Sequence, residues 1–157
     1  MNKSKMTKAS IQVADWQQYQ QVLADIRTRV FVQEQQVSAA DEWDGLDESA
    51  THFIVQRESG EIVGCARLLR EQGTQGQVFH IGRVAILKPF RGQGLGLALM
   101  RFILQHCQQL APANPIYLHA QCERQEFYER LGFVAHGDVF MDAGIPHISM
   151  WYIATEE

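Results

Sequence analysis

A chain of 157 residues, 46% hydrophobic and 20% charged, has the size and apolar content of one globular domain that can bury a core without metal or disulfide staples. Its formal net charge of −4 argues against a nucleic-acid or anionic-membrane surface as the main partner, while still allowing a compact anion pocket. Cys65, Cys107 and Cys122 are widely spaced and form no C-x-x-C pair, so they read as core thiols of a reducing compartment, with Cys122 kept open.

Residues 1 to 9 are polar and expected to be loose, and Lys3, Lys5 and Lys8 have no apolar stretch behind them, so no signal peptide is expected. Ser10 to Val13 suits a first strand. Asp15 then starts a helix, three residues before Gln18 in a capping-box spacing, with Trp16, Tyr19, Val22, Leu23, Ile26 and Val30 on one face. A second short helix or turn is expected from Phe31 to Val37. Asp41, Glu42, Asp44, Asp47 and Glu48 surround Trp43 in an expected surface loop, either solvated or arranged to hold a cationic amine. Thr51 to Arg57, a turn at Ser59-Gly60 and Glu61 to Arg70 read as a hairpin, followed by a polar Gln/Gly loop ending near Gly76. Val78 to Leu87 is apolar apart from His80 and Arg83, as a central strand would be, and Gly82 marks a bulge, a close approach to the backbone or ordinary packing.

The segment Arg91-Gly92-Gln93-Gly94-Leu95-Gly96 stands where this strand gives way to a helix whose stripe is Leu95, Ala98, Leu99, Phe102, Ile103 and Leu110. Glycines let backbone N–H groups approach a ligand, and the helix adds its unpaired first-turn donors and positive dipole end, which together suit a pyrophosphate. The dinucleotide fingerprint fails, because positions 97 and 99 are Leu where Gly or Ala is needed, and no Walker lysine follows. The run from Leu95 to Leu104 is broken by Arg101 and too short to span a bilayer, so a soluble, cytoplasmic protein without a membrane partner is expected. Beyond it come a strand, Ile116 to Ala120, a helix, Glu123 to Leu131, stopped by Gly132, and two strands, Phe133 to Phe140 and Ile148 to Ile153, around a Gly144-Ile145-Pro146 turn.

The order Arg91, Gly94, Gly96 entering a helix resembles the acetyl-CoA loop of the GNAT N-acetyltransferases. Phe127-Tyr128-Glu129-Arg130-Leu131-Gly132-Phe133 resembles that family's F-Y-x-x-x-G-F segment. The likeness narrows to the ElaA/YjcF-like branch, whose members are similar at Ile26-Arg27, Val30-Phe31-Val32, Glu34-Gln35, Asp44, Asp47, His52, Arg67, Leu118-His119-Ala120-Gln121 and Gly144-Ile145-Pro146-His147. The resemblance implies a mixed α/β, three-layer fold with a central, mostly antiparallel sheet of roughly six to seven strands and about four helices, formed by one domain over residues 1–157. It implies acetyl-CoA as acyl donor, no metal, and a small-molecule or protein amine as acceptor. By the same alignment, Val84, Ala85 and Ile86 face the pantetheine arm, Arg91, Gly92, Gln93, Gly94, Leu95 and Gly96 take the diphosphate, and Tyr128 lies near the thioester sulfur. Gln121 stands where many relatives carry Asn, which alters the reach of that cofactor contact. A homodimer stays open.

Direct acetyl transfer needs a neutral amine, a positioned thioester and an acid for the departing thiolate. Tyr128 suits the acid. His119, on the same strand face as Gln121, is the favoured base, and His80, His147, His52 and water are the alternatives. Arg67 either anchors an acidic substrate group or pairs with the acidic loop. A second class of function remains, a non-catalytic acyl-CoA-binding sensor.

Overall fold

In the computed structural model, which describes residues 8–154, strands β1 (Ala9–Ala14), β2 (Thr51–Arg57), β3 (Ile62–Gly73), β4 (Gly76–Ile86), β5 (Ile116–Gln121), β6 (Phe133–Asp142) and β7 (Ile145–Tyr152) make one sheet in the order β1-β2-β3-β4-β5-β7-β6. Only β4 and β5 run parallel. Four helices accompany the sheet: α1 (Trp16–Arg27), a short α2 (Ala39–Glu42), α3 (Leu95–Leu110) and α4 (Gln125–Arg130). This is the mixed α/β, mostly antiparallel arrangement that the resemblance implied, with seven strands where six to seven were expected.

Strand alternation assigns the layers. His52 stacks on Trp16 of α1, whereas its neighbour Phe53 meets Phe102 of α3 edge to face. Since successive side chains point to opposite faces of a strand, α1 and α3 cover opposite sides of the sheet. The core on the α3 side is built from Phe53, Phe79, Ile81, Leu99, Met100 and Ile103, each about 1% exposed or less.

Several element boundaries differ from expectation. Ala9 is the first residue of β1 and pairs with Arg57; the looseness expected of residues 1 to 7 lies outside the described residues. The Asp15 cap forms, its Oδ2 accepting from the Gln18 N–H at 3.1 Å. The helix it starts does not break before Phe31 but continues as a π-helical segment, Thr28–Glu34. The Gln/Gly stretch is not a loop, because β3 and β4 stay paired to Gly73↔Gly76. On α3 the buried stripe includes Met100, Leu104 and Cys107, while Leu110 is 46% exposed and Ala98 faces outward. The last turn falls on Ala143-Gly144, both with positive φ, as a two-residue hairpin requires.

At Gly82 the sheet is deformed. Cys65 pairs with Ala85 and Arg67 with Gly82, so two steps along β3 oppose three along β4 and one extra residue bulges out. The bulge expected at Gly82 is present, with the positive φ of 52° carried by Arg83. Pairing of β4 with β5 covers only Phe79↔Ile116, His80↔Tyr117 and Ile81↔Leu118. Beyond the bulge the two strands part.

A candidate active-site cleft

The gap left by the parted strands is a cleft of about 830 Å³ that runs from the Arg91–Gly96 loop, past Tyr128, to His80, His119 and His147. Its size is within the range of small-molecule and cofactor sites.

One end is built from backbone. Gly92 and Gly94 hold φ of 79° and 83°, a region L side chains rarely adopt, and a Cβ at either would meet nothing within 4 Å. Gly94 is the N-cap of α3 and offers no side-chain cap, so the first-turn N–H groups of that helix have no cap acceptor from it. Leu95 turns its side chain into the core, leaving its peptide to the loop. Arg91 braces this turn: its Nε donates to the Ile86 carbonyl at 2.8 Å and its Nη atoms form a two-pronged ion pair with Glu34 at 2.6 and 2.8 Å. That pairing holds the Glu34 carboxyl below its ordinary range. Gln93 lies in the same turn. Ala85 pairs with Cys65 on β3, and the Leu87 N–H donates to Val63. By alternation the peptide edge of Ile86 faces the gap. Val84 lines it too. The set of open glycines, an uncapped helix start and a strand edge without its neighbour fits the diphosphate and amide-bearing arm of an acyl-CoA.

The middle of the cleft is approached from both faces of the sheet. Tyr128 packs edge-on to Phe127 and Phe133, on the α3 side, and burial pushes its hydroxyl up to about 12. His119 is on the opposite face, edge-on to His80 at 5.1 Å and to Phe140 at 5.0 Å. Lost solvation and the neighbouring His80 lower the pKa of His119. Gln121, on the same face as His119, donates from Nε2 to Gln35 Oε1 at 2.8 Å, a bridge across the cleft.

The other histidines separate by their bonds. His147 has its Nδ1 against the Ile145 carbonyl at 2.7 Å, which makes Nδ1 the protonated nitrogen, since a carbonyl only accepts. His52 is 2% exposed, stacked on Trp16, and donates from Nε2 to the Asp47 carbonyl at 2.8 Å; burial lowers its pKa. It is a structural residue away from the cleft lining.

Three carboxylates of the acidic segment, Glu42, Asp44 and Asp47, are occupied by the protein's own guanidiniums, while Asp41 and Glu48 face solvent. Arg27, 1% exposed beneath Trp43, reaches Glu42 at 2.8 Å and Asp47 at 2.7 Å. Arg67 grips Asp44 with both Nη atoms at 2.8 and 2.9 Å and also reaches Asp47. Arg83 on the bulge reaches Glu42 and Asp44. The cation expected near Trp43 is therefore Arg27. Of the two roles open to Arg67, pairing with the acidic loop is the one observed, and the network walls one side of the cleft. The hydrogen bonds from Arg67 place Asp44 well below the usual carboxylate range. Burial pushes Asp47 upward, but the bonds and charges of Arg27 and Arg67 outweigh it.

Two polar residues went unnoticed in the sequence: Glu71, which accepts from Tyr117 and His80, and Tyr117 itself. The only signal for them was register, since both lie on strands whose alternation places them beside His80. Among the free thiols, Cys65 is buried and pushed up to about 12, which suits a core residue, and Cys122 is half-buried.

Comparison with known proteins agrees with this geometry. Residues 12–153 match the acetyltransferase (GNAT) domain family. The chain is similar to Protein ElaA of Escherichia coli K12, 36% identical over 129 residues, which is 82% of this chain and 83% of that one. In three dimensions it is similar to the crystal structure of Escherichia coli ElaA, with a TM-score of 0.83 at 30% identity over 93% of this chain and 100% of that one. It is also similar to an acyl-CoA N-acyltransferase from Pseudomonas aeruginosa, with a TM-score of 0.81 at 33% identity over 93% and 100% of the two chains.

Proposed function

The chain belongs to the GNAT acetyltransferase family, and on that premise we propose that it is an acetyl-CoA-dependent N-acetyltransferase acting by direct transfer to an amine of a small molecule or protein. The observation that carries this reading is the parting of β4 from β5 beyond Ile81 and Leu118, which gives one cleft a glycine-led helix start, a strand edge, a tyrosine on one face and imidazoles on the other.

Acetyl-CoA supplies an acetyl thioester, already activated toward nitrogen. The protein's part is to hold it and to manage protons. Fixing the thioester and the amine within one cleft removes much of the translational and rotational cost of their meeting. The Ile86 N–H, on the strand edge, would polarise the thioester oxygen. In the overall reaction a carbon–nitrogen bond forms, the carbon–sulfur bond breaks, and an alkylammonium loses two protons. His119 takes the first, and its lowered pKa keeps it neutral and able to accept near pH 7. Tyr128 gives its proton to the departing sulfur and is restored by the second; a hydroxyl at about 12 stays protonated and is a donor, not a base. The two groups reach the gap from opposite faces of the sheet.

A thiol-release assay with acetyl-CoA and a panel of polyamines, aminoglycosides, amino acids and peptide N-termini tests this. Turnover is expected on at least one amine, with Tyr128→Phe lowering kcat by about 100-fold while KM for acetyl-CoA changes little. Thermal stabilisation by acetyl-CoA with no turnover on any amine would overturn the enzymatic reading in favour of an acyl-CoA-binding sensor.

A further inference from the structure

We propose that the acceptor half of the cleft takes a linear di- or polyamine, an alkylamine with a second ammonium group and no carboxylate, and that Glu71 and Asp142 hold the charge that does not react. This rests on the acetyl-transfer reading and adds to it the class of amine.

Strand alternation gathers the groups on one face of the sheet. Phe140 meets both His119 and His147, and Asp142 lies two residues further along β6, so it projects on the face of His119. On β3, Leu69 pairs with His80, whose ring is edge-on to His119, and Glu71 lies two residues beyond Leu69. In the order β3-β4-β5-β7-β6, Glu71 therefore stands two strands to one side of His119 and Asp142 two strands to the other. Both carboxylates line the cleft, and the charge of each favours the protonated form of His119. The imidazoles between them offer lone pairs. Glu71 accepts from the Tyr117 hydroxyl at 2.5 Å and from His80 Nδ1 at 2.7 Å, and those bonds outweigh burial and keep it an anion. An ionised carboxylate only accepts, which puts the His80 proton on Nδ1 and leaves Nε2 bare. The Ile145 carbonyl fixes His147 in the same way. Among the described residues, the shut-in side-chain nitrogens without a partner belong to Arg57 and Arg67, so the bare Nε2 of His147, a residue 8% exposed, is reached from the cleft.

The protein's own cations do not satisfy these acceptors. Arg67 and Arg83, the guanidiniums in this half of the lining, are spent on Glu42, Asp44 and Asp47. The other arginines of the lining belong to the glycine-loop half, Arg91 in the turn itself, Arg101 on α3, and Arg124 and Arg130 at the two ends of α4. The cleft is thus polar along its length, positive around the glycine loop and negative on both sides of His119. A ligand with several N–H donors and a second positive charge completes the negative end. A carboxylate on the acceptor would meet like charge and lone pairs there. Between the charged groups the wall is apolar: Val37 and Leu69 are half-buried and Leu46 is 43% exposed, a surface that suits a chain of methylenes. Glu71 and Asp142 are specificity residues in this scheme and take no part in the proton transfers.

Probe amines of similar length isolate the far-end charge: putrescine carries an ammonium there, butylamine no charge and γ-aminobutyrate a carboxylate. In titration calorimetry on the full chain with saturating CoA, putrescine is expected to bind at least about tenfold more tightly than butylamine, the worth of one charge-assisted hydrogen bond, and γ-aminobutyrate more weakly than either. Thiol-release assays with acetyl-CoA are expected to rank kcat/KM in the same order. Asp142→Asn and Glu71→Gln are each expected to lower kcat/KM for putrescine at least about fivefold more than for butylamine. Asp142→Lys should narrow the gap between γ-aminobutyrate and putrescine. Equal affinity for putrescine and butylamine in the wild type, or a preference for γ-aminobutyrate, overturns the proposal. So does turnover confined to amino acids or uncharged alkylamines, and in that case the acetyl-transfer reading stands. If acetyl-CoA binds and no amine turns over, the acetyl-transfer reading falls, and the calorimetric order alone upholds or overturns the dication site.

Discussion

At the scale of single residues, the strongest constraint is the set of arginines and carboxylates behind the cleft. Arg27 is 1% exposed, Glu42 2% and Asp47 7%, so these charges are kept out of water by one another. A buried ion pair adds little against an apolar replacement of the whole set, but removing one partner leaves an uncompensated charge. Arg27→Met is therefore expected to cost about 3–5 kcal/mol in urea unfolding. Arg67→Met tests the same network through pH. The folded-state pKa of Asp44 is depressed, first by the hydrogen bonds from Arg67, and a depressed carboxylate contributes stability above its unfolded pKa of about 3.9 and loses it as pH falls toward the folded value. The stability gap between wild type and Arg67→Met should be widest near neutrality and narrow as pH drops below about 4. A gap that stays constant through that window would mean that Arg67 acts through packing and not charge.

At the scale of elements, the glycine loop separates two kinds of glycine. Gly94 sits at φ 83°, where a side chain is strained whatever space surrounds it, at a cost of about 1–2 kcal/mol. Gly96 is inside α3 without a positive φ, and a Cβ there would stand 3.6 Å from Phe127, an ordinary contact. In thermal melts Gly94→Ala should lower Tm by roughly 2–8 °C and Gly96→Ala by clearly less; equal losses would show that the turn conformation is not what Gly94 supplies. This loop was legible in the sequence because glycine spacing and the strand-to-helix change are local. The Asp15 cap, the Gly132 stop, the β2–β3 hairpin and the Gly82 bulge were legible for the same reason. What escaped was either long-range or without a period of its own. Five carboxylates near Trp43 were plain to see, but the cations that pair with three of them, Glu42, Asp44 and Asp47, come from Arg27, Arg67 and Arg83 on three other elements, brought together by the fold. Glu71 looked like one more charge in a polar stretch, since nothing local says that β3 and β4 stay paired to Gly73↔Gly76. Part of the π-helical segment after Arg27 was read as a separate short helix or turn from Phe31 to Val37, because its i→i+5 bonds leave no hydrophobic repeat to recognise.

At the scale of the molecule, the sheet is two pieces joined at a narrow seam. β1 to β4 carry α1 and α3; β5, β7 and β6 carry α4; and between them stand three residue pairs, from Phe79↔Ile116 to Ile81↔Leu118. The cleft draws on both pieces, the Arg91–Gly96 turn and the Ile86 edge from one, Gln121 and Tyr128 from the other. In the proposed binding mode a ligand seated there would take up the strand pairing lost past the bulge, and its binding energy would then act across the seam. Under the proposed function, acetyl-CoA at 100 times its dissociation constant would add about 2.7 kcal/mol to stability if it binds the folded chain and not the unfolded one. Hydrogen exchange should then slow at amides of the second piece, in residues 116–121 and 145–152, as well as in the 91–96 turn, while β1 and β2, remote from the seam, change little. If exchange slows only in the turn, the ligand is held by one piece and the seam is rigid without it. If β1 and β2 slow as much as β5 and β7, the sheet opens as one cooperative unit and the seam has no separate mobility to lose.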